Sequence, residues 1–307
     1  MLDKSLTDAE LDFAEVRRAF DHAAASYDAH AVLQREVCDR LLERLDFTTL
    51  QPQRVLDIGT GTGYGLAHLQ SRYAEAALCA LDIAPAMLKR ARARLPQPGW
   101  AQRALAKLHP GSGPQHHLLC ADMDQLPLAS SSINLAWSSL ALQWAHDLDT
   151  TLKGIHRVLA PGGLLIFATF GPDTLKELRQ SFAQLDGYAH VNTFPDMHDI
   201  GDWLMAAGFS APVVDMEYIT LTYATLRDML REIKQIGANA VTGSRKDGLT
   251  GRQYWRQLEN LYETHRREGR LPATWEVVYG HAWRPADRVA GMQPVIWHSR
   301  RPDGERA

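Results

Sequence analysis

A glycine-rich turn with an acid inside it is the part of the sequence whose residue types and spacing most clearly predict chemistry. Gly59, Gly61 and Gly63 alternate in RVLDIGTGTGYGL, directly after the apolar residues of a candidate strand, Arg54–Ile58. Glycine lets the backbone turn sharply and lets a ligand approach it, and such turns between strand and helix commonly bind nucleotides. The spacing is GxGxG, unlike the GxGxxG of dinucleotide enzymes, and no lysine follows to hold a triphosphate. Asp57 would repel a pyrophosphate but attract a cation or an amine.

Two further carboxylates end the next candidate strands. Asp82 closes the strand Ala77–Asp82, 25 residues after Asp57, and Asp122 follows the strand Gln115–Ala121. The spacing of Asp82 is that of a carboxylate that accepts both ribose hydroxyls, and Asp122 is placed to receive the exocyclic amine of adenine. Each acid alone could equally be an N-cap or a solvated loop residue. Together, at the edge where open α/β sheets bind ligands, they predict a nucleoside site.

A regular alternation of strands and helices must position these residues. Short apolar runs, each followed by a helical pattern, predict βαβ units, and parallel neighbours need a crossover between them. The expected architecture is therefore an α/β fold with a parallel sheet. The other predicted strands are Ile133–Ser138 and Gly163–Phe170, and the predicted helices are Gly63–Ala74, Pro85–Leu95, Leu148–Val158 and Thr174–Leu185.

Helical patterns flank this alternation on both sides. Residues 12–45 are predicted to be helical, because apolar residues recur at three- and four-residue spacing. The segment Pro96–Pro114 is rich in Pro and Gly and predicts an enlarged surface connection. Further downstream the predicted elements are a helix at Pro195–Phe209, a strand at Val213–Tyr223, helices at Thr225–Gly237 and Gln253–Arg267, and a last strand at Trp275–Trp283.

These patterns divide the chain into a core with two helical additions. We predict an N-terminal helical cap at 1–50, a core at 51–220, a helical lid at 221–272 inserted between the last two strands, the last strand of the core at 273–283, and a flexible tail at 284–307.

The composition excludes several classes of protein. The chain has 307 residues, 45% hydrophobic and 22% charged, which is typical of a globular protein. A net charge of −3 argues against nucleic-acid binding by the whole surface. The N-terminus lacks an apolar signal core, and no apolar run is long enough to cross a membrane. Three distant cysteines without a CxxC pair, and histidines without metal-ligand spacing, predict neither disulfides nor a metal site. We therefore expect a cytoplasmic protein, and a monomer.

Five ordered motifs resemble those of class I S-adenosylmethionine-dependent methyltransferases. They are DIGTGTG, ALDIAPAML, CADMDQLPL, INLAWSSLALQW and LAPGGLLIFATF, and they cover roughly residues 50–170. The resemblance implies a doubly wound, mostly parallel, Rossmann-like sheet of seven strands. It also implies S-adenosylmethionine as the methyl donor, with no metal.

The same resemblance implies roles for individual residues in donor binding. The acid of the first motif, Asp57, would meet the methionine amino group, Asp82 the ribose, and Asp122 the adenine amine. Met87 would be either core or a wall of the ribose pocket. The other implied donor-binding residues are Gly59, Thr60, Gly61 and Gly63 at the methionine end, Ile83 and Met123 around the adenine, and Ser138.

A narrower resemblance extends over nearly the whole chain. AFDHAAASYDAHAVLQREV, REIKQIGAN and LPATWEVVYG resemble segments of the malonyl-acyl-carrier-protein O-methyltransferases. This resemblance implies methylation of the free carboxylate of malonyl-acyl-carrier protein, or of malonyl-coenzyme A, at the start of the pimeloyl branch of biotin synthesis. TFGPDTLKELR and the C-terminal third also resemble mitochondrial complex I assembly factors, a related branch that acts on a protein arginine. A nucleotide-binding chaperone without turnover is the third alternative.

Methylation of a carboxylate demands orientation more than acid–base chemistry. A carboxylate is already ionised at pH 7 and a sulfonium methyl is already activated, so no general base is required. Tyr27, with His30 one helical turn later, would close the sulfonium pocket, although Tyr27 could equally be an apolar-face aromatic. Four residues that follow the fourth strand are candidates for acceptor binding, and one of them, Trp144, could instead be core. They are Ser138, Ser139, Gln143 and Trp144. A carboxylate also needs a cation, for which the lid residue Lys234 is a further candidate.

The predicted lid carries most of the positive charge. Between residues 221 and 272 there are ten Lys and Arg against six Asp and Glu, a net charge of +4, which leaves −7 for the rest of the chain. A basic helical insertion on an acidic body is typical of a surface for an acidic partner, and an acyl-carrier protein is such a partner. The alternative is a solvated surface laced with i,i+3 and i,i+4 ion pairs.

Overall fold

A computed structural model describes residues 13–96, 116–186, 188–236 and 251–286. The predicted surface connection after Pro96, the polar stretch 237–250 of the lid and the tail from residue 287 onward lie outside the described residues.

The centre of the fold is a seven-stranded sheet with the strand order β3-β2-β1-β4-β5-β7-β6. β1 to β5 run parallel, whereas β7 pairs antiparallel with both β5 and β6. The predicted mostly parallel, seven-stranded α/β sheet is therefore confirmed. The strands are β1 Arg54–Ile58, β2 Ala77–Asp82, β3 His116–Cys120, β4 Ile133–Ser139, β5 Leu159–Phe170, β6 Ser210–Tyr223 and β7 Leu271–Trp283.

Helices cover both faces of this sheet, because each face is apolar and must be buried. One apolar core lies between the sheet and α3, α4, α5 and α7, and the other lies under α6 and α8. Within the described ranges, no helix is long and apolar enough to span a bilayer. The helices are α1 Phe13–Ala23, α2 Tyr27–His30, α3 Val32–Arg44, α4 Tyr64–Arg72, α5 Pro85–Arg94, α6 Leu148–Val158, α7 Lys176–Ala183, α8 Met197–Ala206, α9 Leu226–Gln235 and α10 Arg252–Glu263.

The N-terminal segment is interrupted, which differs from the helical prediction for residues 12–45. α1 ends at Ala23, and Ala31, with φ −78° and ψ 50°, leaves the helical region between α2 and α3. The short α2 is therefore separated from α1 by residues 24–26 and from α3 by Ala31. The contacts that hold it are tertiary and lie across the edge of the sheet.

The lid is inserted between β6 and β7, which form a long antiparallel pair. The ladder runs from Ser210↔Trp283 to Tyr223↔Leu271, whereas β5 follows β7 only as far as Val277. The pair therefore projects beyond the carboxyl end of β5 and carries the insertion above that edge. In the structure β6 ends at Tyr223 and β7 begins at Leu271, so the inserted segment lies between these two residues. β7 begins before the predicted Trp275 and includes Pro272. Proline is tolerated there because this part of β7 lies beyond β5 and pairs with β6 alone.

Candidate active site

A cleft lies at the carboxyl edge of the sheet, between the strand ends and α1 to α3. Its empty volume is about 1020 Å³, including space open to solvent. The turn after β1, the ends of β2 and β4 and the residues after β3 form one wall, and the N-terminal helices form the other. The cap thus covers the edge at which an open α/β sheet binds its ligands.

The three glycines of the turn have different physical roles. All have positive φ angles, of 70°, 54° and 82° for Gly59, Gly61 and Gly63. A Cβ at Gly59 would lie 2.2 Å from the Cβ of Ala141, whereas one at Gly61 would meet no described atom within 4 Å. A Cβ at Gly63 would lie 2.7 Å from the Cα of Ala91. Gly61 therefore leaves room for a ligand, and Gly63, which does not line the cleft, lets α4 pack against α5.

Asp57 is buried at the base of the turn. Its carboxylate accepts a hydrogen bond of 2.6 Å from the Thr60 hydroxyl, and both residues line the cleft. Burial, opposed by the hydrogen bond from Thr60 and assisted by the charge of Asp82, raises the pKa of Asp57 to about 7. A cationic group placed beside it would restore the carboxylate form.

Asp82 links the ends of β1 and β2. One carboxylate oxygen accepts from the Gly61 N–H and the other from the Ala84 N–H, each at 2.8 Å. Burial raises its pKa to about 6, and these two hydrogen bonds oppose the rise. Each oxygen keeps a further lone pair, so the group can still accept hydroxyl donors from a ligand in the cleft.

The residues after β2 and β3 form the far end of the cleft. Ile83 and Met123 line it, together with Asp122. Asp122 accepts a hydrogen bond from the Asp124 N–H at 2.9 Å. It therefore caps the short helical turn that follows and also lines the cleft. Met87 is only 1% exposed, yet it lines the cleft, so it is core and wall at once.

The cap is pinned to the turn through one carboxylate. Asp28 in α2 accepts from the Thr62 hydroxyl at 2.6 Å and pairs with Arg94 of α5 at 2.6 Å. The Asp28 carbonyl accepts from the guanidinium of Arg35 in α3. Tyr27 is thereby placed in the cleft, where burial, together with the charges of Asp82 and Asp28, raises its pKa above the usual value. Its hydroxyl therefore stays protonated.

Comparison with known proteins identifies the family. Residues 56–167 match the family described as Methyltransferase domain. The chain is 55% identical over 278 residues to a malonyl-acyl-carrier-protein O-methyltransferase of Laribacter hongkongensis (strain HLHK9), covering 90% of this chain and 91% of that protein. It is 51% identical over 279 residues to the protein of that name in Gallionella capsiferriformans (strain ES-2), covering 91% and 93%. The chain belongs to the malonyl-acyl-carrier-protein O-methyltransferase family.

A solved structure shows the same fold. One chain of a complex between the Haloferax volcanii Trm112 methyltransferase activator and a protein assigned as a methyltransferase aligns with a TM-score of 0.53. The alignment covers 88% of this chain and 97% of that chain, at 19% identity. The class I methyltransferase fold is therefore confirmed, and the protein is an S-adenosylmethionine-dependent O-methyltransferase.

Five of the residues proposed from the sequence do not line the cleft of this methyltransferase. One is Gly63, described above, and the other four are as follows. The Ser138 hydroxyl is fully buried and donates to the Ile58 carbonyl at 3.1 Å, whereas Ser139 lines the cleft. His30 lies outside, with Nδ1 3.0 Å from the Ser26 carbonyl. The side-chain amide of Gln143 donates to the Leu140 carbonyl at 2.7 Å. Lys234 lies exposed on α9.

Trp144, from the predicted acceptor-binding set, lines the end of the cleft next to α1. Its ring meets that of Phe20 in α1 edge to face, with 5.4 Å between centroids. With Ser139, Leu140 and Ala141 it forms a largely apolar wall opposite the cap. A group that enters at this end loses part of its hydration.

Sequence reasoning missed two cleft residues in α3. Arg35 is the only cationic side chain among the described residues that line the cleft. The side-chain oxygen of Gln34 is buried and has no hydrogen-bond partner among the described residues. Both lie in the sequence AHAVLQREV, where only a polar pair at the start of an amphipathic helix could have signalled them. Within the described residues, no group of His, Cys, Asp or Glu is arranged to hold a metal ion.

Proposed function

We propose that this methyltransferase transfers the methyl group of S-adenosylmethionine to the free carboxylate of malonyl-acyl-carrier protein. The product is the malonyl methyl ester that begins the pimeloyl branch of biotin synthesis. The observation that carries the proposal is the 55% identity, over 90% of the chain, to a relative named for this reaction. The cleft supports it by combining acids at the strand ends with a small, largely apolar acceptor end.

The acids of the cleft would bind the donor. Asp57 would hold the methionine ammonium and recover its negative charge beside it. Asp82 would accept the two ribose hydroxyls, and Asp122 the amine of adenine. Arg35 lies over the turn through its bond to Asp28, and it would pair with the methionine carboxylate, since an arginine fork suits a carboxylate. The sulfonium would then face the wall formed by Trp144.

The transfer itself would need position and partial desolvation. A malonyl carboxylate oxygen forms a bond to the methyl carbon while the carbon–sulfur bond breaks and its electron pair stays on sulfur. No proton is transferred, because the nucleophile is ionised at neutral pH. The raised pKa of Tyr27 keeps its hydroxyl a hydrogen-bond donor that can orient a carboxylate without competing for the methyl group. Holding the reacting atoms in line would supply most of the acceleration.

A transfer assay tests this proposal. Purified protein with methyl-labelled donor should label malonyl-acyl-carrier protein, and mild alkali should release the label as methanol. Carrier protein without its malonyl group, and a protein rich in exposed arginine, should remain unlabelled. Label on arginine would support the assembly-factor alternative instead. If calorimetry shows donor binding but no acid is methylated, the result would support the alternative of a nucleotide-binding chaperone without turnover.

A further inference from the structure

One face of the lid helix α9 carries a stripe of three cations. Arg227, Arg231 and Lys234 follow one another at i, i+4 and i+7 and are all exposed, the first two with 78% and 60% of their side chains accessible. At 3.6 residues per turn they fall within an arc of about 60°. The opposite side of the helix buries Leu226 and Met229. The stripe therefore faces away from the protein.

The acids of α9 are engaged in local structure. Glu232 accepts from the Tyr223 hydroxyl at 2.8 Å, at the end of β6. Asp228 accepts from the hydroxyl of the N-cap residue Thr225 at 2.7 Å and lies 3.4 Å from Arg231. Both carboxylates lie on the flank of the helix, about a quarter turn or more from the stripe. The outward face of α9 therefore carries more net positive charge than the composition of the whole helix indicates.

The helix α10 continues this surface. Arg252 and Arg256 are exposed one turn apart, and neither forms an ion pair with a described residue. Glu259, three residues after Arg256, lies 3.9 Å from Arg227 and so joins the two helices. Like charges at i,i+4 destabilise a helix by a few tenths of a kcal/mol. The unpaired arginines are therefore not explained by helix stability.

The surface also has an aromatic residue and a position next to the cleft. Trp255, beside Arg256, is 41% exposed. Tryptophan and arginine are the side chains that most often dominate protein interfaces. α9 packs against α2, the helix whose Asp28 is bonded to the glycine turn. A partner bound to the lid would therefore lie beside the mouth of the cleft.

We propose that these exposed faces of α9 and α10 dock an acidic helical face of the carrier protein that bears the acyl substrate. This inference rests on the proposed function and adds the surface of contact. Outside residues 221–272 the chain carries a net charge of −7, so the insertion is basic relative to the rest of the chain. The residues of this surface, hereafter the basic lid surface, are Arg227, Arg231, Lys234, Arg252, Trp255 and Arg256.

The test compares two substrates that share the malonyl group. Arg252→Glu with Arg256→Glu should raise KM for malonyl-acyl-carrier protein about tenfold or more, because docking relies on complementary charge. The same variant should keep its KM for malonyl-coenzyme A within about twofold, since that substrate has no protein face. Arg231→Glu should act in the same direction from α9. Lys89→Glu with Lys153→Glu, a matched reversal of exposed lysines on α5 and α6, should change neither KM.

The outcomes separate docking from catalysis. Circular dichroism melts establish that each variant is folded before the kinetics are compared. Equal losses on both substrates, or no loss on the carrier, would overturn the docking surface while wild-type turnover leaves the proposed function standing. Wild-type protein that methylates neither substrate would overturn both. Binding of duplex DNA or phosphatidylglycerol vesicles to this surface more tightly than the carrier would replace the proposed partner.

Discussion

At the scale of single residues, the cleft holds two carboxylates whose burial disfavours their charged form. Asp57 and Asp82 have pKa values raised to about 7 and about 6, each mainly through burial. Among the described residues, no cation is bonded to either carboxylate to offset this cost, and Arg35 is bonded to the Asp28 carbonyl. The site is therefore poised for a ligand that supplies positive charge and hydroxyl donors itself.

The raised pKa of Asp57 predicts a pH-dependent affinity for the donor product S-adenosylhomocysteine. The ammonium of the ligand favours the carboxylate, so binding below pH 7 must release a proton, and affinity should fall by up to about tenfold per pH unit as pH drops below 7. Above pH 7 it should level off. Calorimetry between pH 6 and 8 measures this, because Asp82 adds to the effect below pH 6. Asp57→Asn should bind more weakly with a flat profile, and a wild-type slope retained in that variant would exclude Asp57 as the source.

Arg35 predicts a difference between two ligands. Arg35→Gln should weaken binding of S-adenosylhomocysteine by about 2 kcal/mol, the scale of a hydrogen-bonded charge pair. Methylthioadenosine, which lacks the methionine carboxylate, should bind wild type and variant alike. Arg17→Gln, another half-exposed arginine of the cap, serves as the control. If KM for the malonyl substrate rises while both nucleosides bind normally, Arg35 holds the acceptor instead.

At the scale of elements, the glycine turn performs two separate tasks within five residues. Gly61 leaves the cleft open above the turn, and Gly63 lets the start of α4 approach Ala91 of α5. The cap adds a third element through Asp28, which is bonded to both the turn and α5. The proposed donor site, the packing of α4 on α5 and the attachment of the cap thus all depend on one short segment.

Alanine substitutions should separate these tasks. Both glycines have positive φ, so each substitution carries strain of about 1–2 kcal/mol. Gly63→Ala adds a backbone clash with α5 and should lower the free energy of unfolding by clearly more than Gly61→Ala, which has no described neighbour within 4 Å. Gly61→Ala should instead show the larger loss of donor affinity. Urea unfolding and calorimetry on both variants measure this, and equal destabilisation of the two would contradict the assignment.

At the scale of the whole molecule, cap and core enclose the cleft jointly. Lining residues come from α1, α2 and α3 as well as from the strand ends. A ligand bound there must therefore resist separation of the cap from the sheet. The basic lid surface lies beside the same cap, so acceptor and donor would reach the cleft from neighbouring sides.

Hydrogen exchange should reveal this joint enclosure. With S-adenosylhomocysteine at about 100 times its Kd, exchange in α1 and α2 should slow by up to about 100-fold, because opening then requires release of the ligand. The helix α8, on the opposite face of the sheet, is the internal control and should slow far less. Equal protection of α8 would mean global stabilisation, and unchanged exchange in α2 would mean that the cap does not close on the donor.

The local sequence determined the sheet and the acids at its edge. Apolar runs and their spacing predicted β1 and β2 with their observed bounds, and the GxGxG turn placed Asp57 and Asp82 at adjacent strand ends. These features depend on backbone periodicity and on glycine's freedom at positive φ, which are properties of short segments. The carboxyl ends of parallel strands meet at one edge of the sheet, so the sequence also predicted that these acids would lie in the same cleft.

Only the tertiary structure decided which neighbouring side chain reaches the cleft. Successive strand residues point to opposite faces, so of the two predicted serines Ser139 lines the cleft and Ser138 does not. The break at Ala31 is held by contacts of α2 with the turn, and it turned His30 away while bringing Arg35 in. Lys234 lies on the outer face of a helix whose inner face packs on the core. Each outcome depends on contacts between segments distant in sequence, which no local pattern contains.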